Sequence, residues 1–396
     1  AVVRLGAPAP QGERWLARGI VDRIGSHSTI DFSAGHTAHV REAAAVADHG
    51  EAINRVLAWL DSSGALEGRG LSGVGHRVVH GGSRFVEPTL IDEHVIDAIE
   101  TAGELAPLHN RPALNAIRAA RAMAGTGVPM VAVFDTAFHN TMPQAAALYA
   151  IPPELASRHR IRRYGFHGLA HRYMAERYAA ATSTPAATTR LVTLHLGNGC
   201  SATAIEGGRS VDTSMGFTPL EGLVMGTRSG DIDPSVLGYL ARSEGVDFAE
   251  VEEWLNTRSG LLGLSGRSRD MRELLEAESA GDAAAALAID MFCYRARKYV
   301  GAYLAVLHGA DAVLFGGGIG ENAPAVRARI CAGLEWCGLR LDRERNSSTV
   351  GTEGRITADD APVHACVVPV DEASVIVSDT AGCLRGRRFP GPATRK

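Results

Sequence analysis

Lysine is nearly missing from this chain of 396 residues: it stands only at Lys298 and Lys396, and arginine carries all other basic side-chain charge. A phosphate loop of the GxxxxGK[ST] type needs its lysine, and no such string occurs. Any phosphate chemistry here rests on arginine, histidine, backbone amides and metal. No apolar run reaches the roughly 20 residues of a membrane span, and residues 1–10 have no secretory-leader pattern. Strong net charge is also lacking, and the formal −4 gives no electrostatic footprint for nucleic acid or an anionic membrane. Cysteine is sparse: Cys200, Cys293, Cys331, Cys337, Cys366 and Cys383 show no metal-type spacing, and Cys331 and Cys337 lie too far apart for a CxxC pair. Reduced thiols in a cytoplasmic protein are the expectation.

What is present reads as an ordinary globular chain, 45% hydrophobic and 21% charged, with a length that favours two domains. The stretch to about residue 30 reads as irregular, with Pro8 and Pro10 early on. From residue 38 to 60, Val40, Ala43, Ala44, Ala47, Ile53, Val56, Leu57 and Leu60 recur at helical spacing. Strands are expected at 74–79, 130–134, 191–196, 201–205, 210–214, 312–315 and 363–369, and helices at 112–124, 283–308 and 375–383. The tail 385–396 reads as frayed. Alternating strands and helices mark an α/β protein.

Four groups of residues carry candidate chemistry. Leu194-His195-Leu196-Gly197-Asn198-Gly199 ends a strand in a glycine-rich turn; alone it reads as an Asn-Gly β-turn, but its successive N–H groups also suit phosphate oxygens. Gly316-Gly317-Gly318-Ile319-Gly320-Glu321-Asn322-Ala323-Pro324 follows a strand and opens a helix, which is either a tight structural turn or an anion site. Arg77, before His80-Gly81-Gly82, and Arg228, in Met225-Gly226-Thr227-Arg228-Ser229-Gly230-Asp231-Ile232-Asp233-Pro234, are guanidinium groups beside glycines, suited to carboxylate or phosphoryl oxygens. Asp135 ends a buried strand, where α/β proteins place their chemistry. His167 and His171 stand i,i+4, yet the glutamate and third ligand of a zinc site are missing. A hydrogen-bond donor to phosphoryl fits His167 better, and a structural histidine fits His171.

In their order, seven strings resemble the acetate kinase family: Gly-His-Arg-Val-Val-His-Gly-Gly, Pro-Leu-His-Asn, Val-Phe-Asp-Thr-Ala-Phe-His, Tyr-Gly-Phe-His-Gly, His-Leu-Gly-Asn-Gly, Met-Gly-Thr-Arg-Ser-Gly-Asp-Ile-Asp-Pro and Gly-Gly-Ile-Gly-Glu-Asn. That resemblance implies two ribonuclease-H-like (actin-like ATPase) α/β domains, residues 1–137 with 373–396 and residues 138–372, with the active site in the interdomain cleft. The first would be the acyl-substrate domain, the second the nucleotide-binding and dimerisation domain of a homodimer. It further implies that Arg77 and Arg228 hold the acyl carboxylate and the moving phosphoryl group, and that His167 stabilises the latter. Asp135 would be the active-site carboxylate, and Glu372 the glutamate linked to magnesium (or manganese). His195, Leu196, Gly197, Asn198 and Gly199, then Asp270, Met271 and Arg272, then Gly320, Glu321, Asn322, Ala323 and Pro324 would line ATP or ADP. The implied reaction is reversible transfer from ATP to acetate, giving acetyl phosphate. A carboxylate acceptor is ionised at neutral pH, so Asp135 reads as an orienter, with an acid/base role as the alternative.

The chain also departs from the family. The family's first strand and Asn-x-Gly-Ser-Ser-Ser hairpin, with a lysine beyond, have no counterpart, and the motif likeness begins near Arg18. On that reading the first domain lacks its first strand. Leu169-Ala170 stands where Thr-Ser is usual, and Arg111 precedes Pro112. Propionate or butyrate as acceptor, a non-catalytic nucleotide-binding relative, and a metal hydrolase using the histidines are the competing readings.

Overall fold

Alternation along residues 27–34 organises the first part of the chain. Ser28, Ile30, Phe32 and Ala34 turn inward while their neighbours stay partly open, the period-2 signature of a half-buried strand. In the computed structural model, which describes residues 2–9, 12–25, 27–34, 39–65, 70–103, 107–125 and 127–386, the chain divides after Ala137 and again at Glu372 into two units. The tail from residue 387, read as frayed, lies outside the described residues.

The first unit opens with an antiparallel sheet in the order β1 (Val2–Ala9), β2 (Gly12–Asp22), β3 (His27–Ala34) and β4 (Val40–Ala45). This corrects the reading of an irregular start. Ala17 and Val21 on β2 join Ile30 and Phe32 in one core, and Gly19 pairs with Phe32. A methyl on Gly19 would lie 2.2 Å from the Phe32 ring, so the ring occupies the space that a side chain would need. The helical reading of residues 38–60 holds only for its second half. Val40–Ala45 pairs with β3, and α1 (His49–Ser62) begins at Asp48, whose carboxylate caps the Glu51 amide at 2.9 Å. α1 buries Ala52, Val56 and Leu60 against that sheet.

A second sheet in this unit runs β5 (Val74–Val78), β7 (Met130–Phe134), β6 (Thr89–Leu90), with β5 and β7 parallel. α2 (Glu93–Ala102) and α3 (Pro107–Ala124) belong to the β5–β7 crossover, as parallel strands require. Val78, Ile99, Leu114, Ile117 and Phe134 fill its core. The chain returns to this unit at its closing helix, Glu372–Leu384, which packs on β5 and β7.

The second unit carries a six-stranded sheet, ordered β10 (Arg209–Thr213), β9 (Cys200–Glu206), β8 (Arg190–Leu196), β11 (Ala312–Gly316), β13 (His364–Val367), β12 (Gly354–Arg355). β8, β11 and β13 are parallel, and β9 and β10 fold back as the expected hairpins. β8 and β11 are buried throughout or nearly so, which explains their continuous apolar runs. α4 (Gln144–Ala147), α5 (Pro153–His159) and α6 (Gly168–Thr182) precede the sheet. α7 (Pro234–Glu244), α8 (Phe248–Thr257), α9 (Gly260–Ser265), α10 (Met271–Ser279) and α11 (Ala283–Val306) separate β10 from β11. α12 (Gly317–Asn322), α13 (Pro324–Cys331) and α14 (Arg343–Ser348) follow, with Pro324 in the first turn of α13 as expected. None of the described helices is long and apolar enough to cross a membrane.

Candidate active site

Parallel pairing of β5 with β7 sets Arg77 opposite Val133 and brings Asp135, just beyond β7, beside it. The Asp135 amide donates to the Val78 carbonyl at 3.0 Å, which fixes the backbone there. Arg77 Nε donates to Asp135 Oδ1 at 3.0 Å and Oδ2 at 3.2 Å, and Nη2 donates to Oδ2 at 2.6 Å. Asp135 is 1% exposed, whereas the Arg77 side chain is 38% exposed. Glu372 at the head of the closing helix adds its Oε2, 3.3 Å from Arg77 Nη1. Burial opposes the guanidinium charge, but Asp135 and then Glu372 outweigh it and hold Arg77 more firmly protonated than a free arginine. Three of its five N–H groups face these carboxylates, and two remain for a ligand. Asn110, from the Pro-Leu-His-Asn string, pins the turn after β5: its Oδ1 accepts from the His80 amide at 3.1 Å and its Nδ2 donates to the His80 carbonyl at 3.0 Å.

In the second unit, β8 and β11 pair with His195 opposite Gly316, so both glycine-rich segments leave the sheet side by side at its carboxyl edge. Gly317 has φ of +75°, and a Cβ there would come within 2.7 Å of the Leu196 carbonyl oxygen. Only glycine meets both conditions. The Glu321 carboxylate folds back to accept the Gly317 amide at 2.8 Å and the Val370 amide at 3.0 Å. Behind it, the fully buried Arg327 donates through Nη1 to the carbonyls of Gly320 at 2.8 Å and Glu321 at 3.0 Å. Burial lowers the proton affinity of that guanidinium, to a pKa of about 10.

His167 caps α6 with φ of +57°, a left-handed conformation that a histidine adopts at a cost. Its ring lies 4.6 Å from that of His195, centroid to centroid. A methyl on Gly199 would sit 3.3 Å from His167 Cε1, 3.4 Å from His167 Nε2 and 3.4 Å from Arg228 Nη1. The two side chains therefore converge on the face that this glycine leaves open. Arg228 Nη1 donates to the Pro219 carbonyl at 3.0 Å, and no carboxylate among the described residues pairs with its guanidinium. Burial lowers its proton affinity. A partly buried guanidinium without an ion-pair partner is chemically suited to an anion.

Asp270 caps α10 through the Arg272 amide at 2.9 Å, and its Oδ2 accepts from Arg272 Nη2 at 2.6 Å, while the Arg272 side chain is 85% exposed. His171 is buried and hydrogen-bonded at both ring nitrogens. Motif reading missed its partners, Thr193 and Ser201, because nothing in a strand sequence says which hydroxyl faces a histidine.

A family model described as the acetokinase family matches residues 8–378. The chain belongs to the acetokinase family. The match starts ahead of Arg18, where motif strings alone placed the beginning of the likeness. An acetate kinase from Solibacter usitatus is 52% identical over 381 residues, covering 95% of this chain and 92% of that one. Among solved structures, Porphyromonas gingivalis acetate kinase superposes with a TM-score of 0.88 at 39% identity, covering 97% of each chain. A propionate kinase from Francisella tularensis gives 0.88 at 38% identity, covering 96% of each. As an acetokinase the chain has the family's two actin-like ATPase domains, and it is a phosphotransferase whose acceptor is a carboxyl group and whose nucleotide is ATP or ADP.

Proposed function

We propose that this acetokinase moves the terminal phosphoryl group of ATP directly and reversibly to acetate, giving acetyl phosphate and ADP. The convergence of Arg228 and His167 over Gly199 carries this reading. Transfer of a phosphoryl group asks for alignment and for donors on the equatorial oxygens, and it asks for no covalent help from the protein. Arg228 and His167 are the donors. The glycine turn from His195 through Leu196, Gly197 and Asn198 to Gly199 takes the phosphates. Gly320 to Pro324 and Asp270, Met271 and Arg272 line the rest of the nucleotide.

Arg77 holds the acetate carboxylate with its two remaining N–H groups. Acetate is already ionised at neutral pH, so no base is required of Asp135. Asp135 instead orients Arg77, since both of its oxygens already accept from that guanidinium. Two carboxylates against one guanidinium leave this cluster negative, and oxygen donors of that charge suit a hard dication that takes its other ligands from phosphate and water. Glu372, with Asp135 behind it, would hold magnesium or manganese there, where the ion would neutralise phosphate charge. The first unit serves the acyl substrate, and the second serves the nucleotide and the contact of a cytoplasmic homodimer.

The equal TM-score of the propionate kinase supports a second reading, in which propionate is the acceptor. Hydroxylamine trapping of acyl phosphate with ATP, magnesium and acetate, propionate or butyrate decides between them by kcat/KM. The Arg228→Ala chain should retain its fold and lose at least about 1000-fold in kcat, the scale of a transition-state arginine. Full activity without Arg228 would sink the reading.

A further inference from the structure

The Ser201 hydroxyl on β9 is wholly buried between two histidine rings, 2.9 Å from His167 Nδ1 and 2.7 Å from His171 Nε2. His171 Nδ1 lies 2.7 Å from Thr193 Oγ1, and that hydroxyl reaches the Thr203 carbonyl at 3.4 Å. A hydroxyl has one proton to give, and a carbonyl only accepts. Followed from that carbonyl, the protons run one way. Thr193 donates to Thr203 and so accepts from His171 Nδ1–H. Burial holds His171 far below the ordinary histidine pKa, so its ring is neutral and Nε2 accepts. Ser201 donates to that nitrogen, and its lone pair accepts from His167 Nδ1–H.

The geometry points to Thr193, His171 and Ser201 as positioning residues that keep the proton of neutral His167 on Nδ1, so that Nε2 donates to phosphoryl oxygen only when the ring is a cation. This rests on the reading of His167 as a phosphoryl donor. A bare Nε2 lone pair would face the anion in the neutral ring, so the productive contact is always charge-assisted, like that of Arg228 beside it. The ionisable groups around the ring include His195 of β8, His171 of the same helix and Arg228.

Ring-nitrogen NMR of the full chain labelled with 15N-histidine tests this, with His167 assigned by the signals lost in His167→Gln. The expected spectrum shows neutral His167 protonated at Nδ1, and Ser201→Ala moves proton occupancy to Nε2. In the same variant kcat should fall about 10- to 100-fold, the scale for losing the partner that orients a working histidine, with KM for ATP within about twofold. Ser201→Thr should recover most of the rate. If Ser201→Ala does not fold, Thr193→Val removes the far anchor and predicts the same tautomer change. Neutral wild-type His167 protonated at Nε2, or an unchanged kcat in a folded Ser201→Ala, overturns the proposal. An undiminished rate in His167→Gln sinks the underlying phosphoryl reading instead, and the spectrum still decides the tautomer.

Discussion

Arg77 and Asp135 are 58 residues apart in sequence, yet Arg77 Nη2 lies 2.6 Å from Asp135 Oδ2. Their meeting follows from one register, Val78 opposite Phe134 across parallel strands, which delivers a half-open cation onto a carboxylate with almost no exposure to water. The pair is rigid because Glu372 holds the guanidinium from its other side. Removal of Arg77 strands the buried Asp135 carboxylate, whereas removal of the Asp135 charge leaves the guanidinium with Glu372 alone.

Asp135→Asn keeps the shape and removes the charge that orients Arg77. The expected result is a kcat/KM for acetate at least about 100-fold lower, reading as about 2.7 kcal/mol of transition-state stabilisation. KM for ATP should change little. Steady-state kinetics with each substrate varied in turn checks the split; equal loss for both substrates would contradict an orienting role toward Arg77.

Gly199→Ala places a methyl where His167 and Arg228 converge, at 3.3 and 3.4 Å. Gly199 has no left-handed φ to lose. The variant should therefore keep a melting temperature within a few degrees of the parent while kcat falls about tenfold or more. Differential scanning calorimetry beside the hydroxylamine assay separates the two effects.

Arg327→Met removes a buried cation whose guanidinium serves the carbonyls of Gly320, Glu321, Asn346 and Thr349. Orphaned buried acceptors should lower stability by about 3 kcal/mol or more. The segment from Gly320 to Ala323 loses its anchor, so KM for ATP should rise more than KM for acetate. Denaturant unfolding with nucleotide kinetics measures both.

Acid should unfold the chain through its buried histidines. His80, His139 and His171 are fully buried, and burial lowers the pKa of His80 and of His139 to about 4 and holds that of His171 well below the ordinary value. Below about pH 6.5 the unfolded chain binds protons that the folded chain refuses, so stability present at pH 7 drains away as pH falls toward 4. Each such histidine contributes a slope of up to about 1.4 kcal/mol per pH unit in that window. Urea midpoints from pH 7 to 5 should fall steadily; a flat profile would mean these rings are charged in the folded state.

The sequence by itself determined the local pieces. Apolar runs marked the strands Met130–Phe134, Arg190–Leu196 and Ala312–Gly316, and the glycines after the last two marked the phosphate-type turns, because burial and tight turns leave traces within a few neighbouring residues. Candidate site residues could be named because each sits in a short string at a strand end or loop. The stretch to about residue 30, read as irregular, and residues 40–45, read as helical, form strands whose pattern is weak: β4 has no fully buried position, and Gly19 is covered by Phe32 from the next strand. Only tertiary structure decided that Arg77 faces Asp135 and Glu372, that Arg228 stands without a carboxylate among the described residues, and that Ser201 joins His167 to His171. Those facts depend on strand register and helix packing, which bring residues together across the chain without any trace in their immediate neighbours.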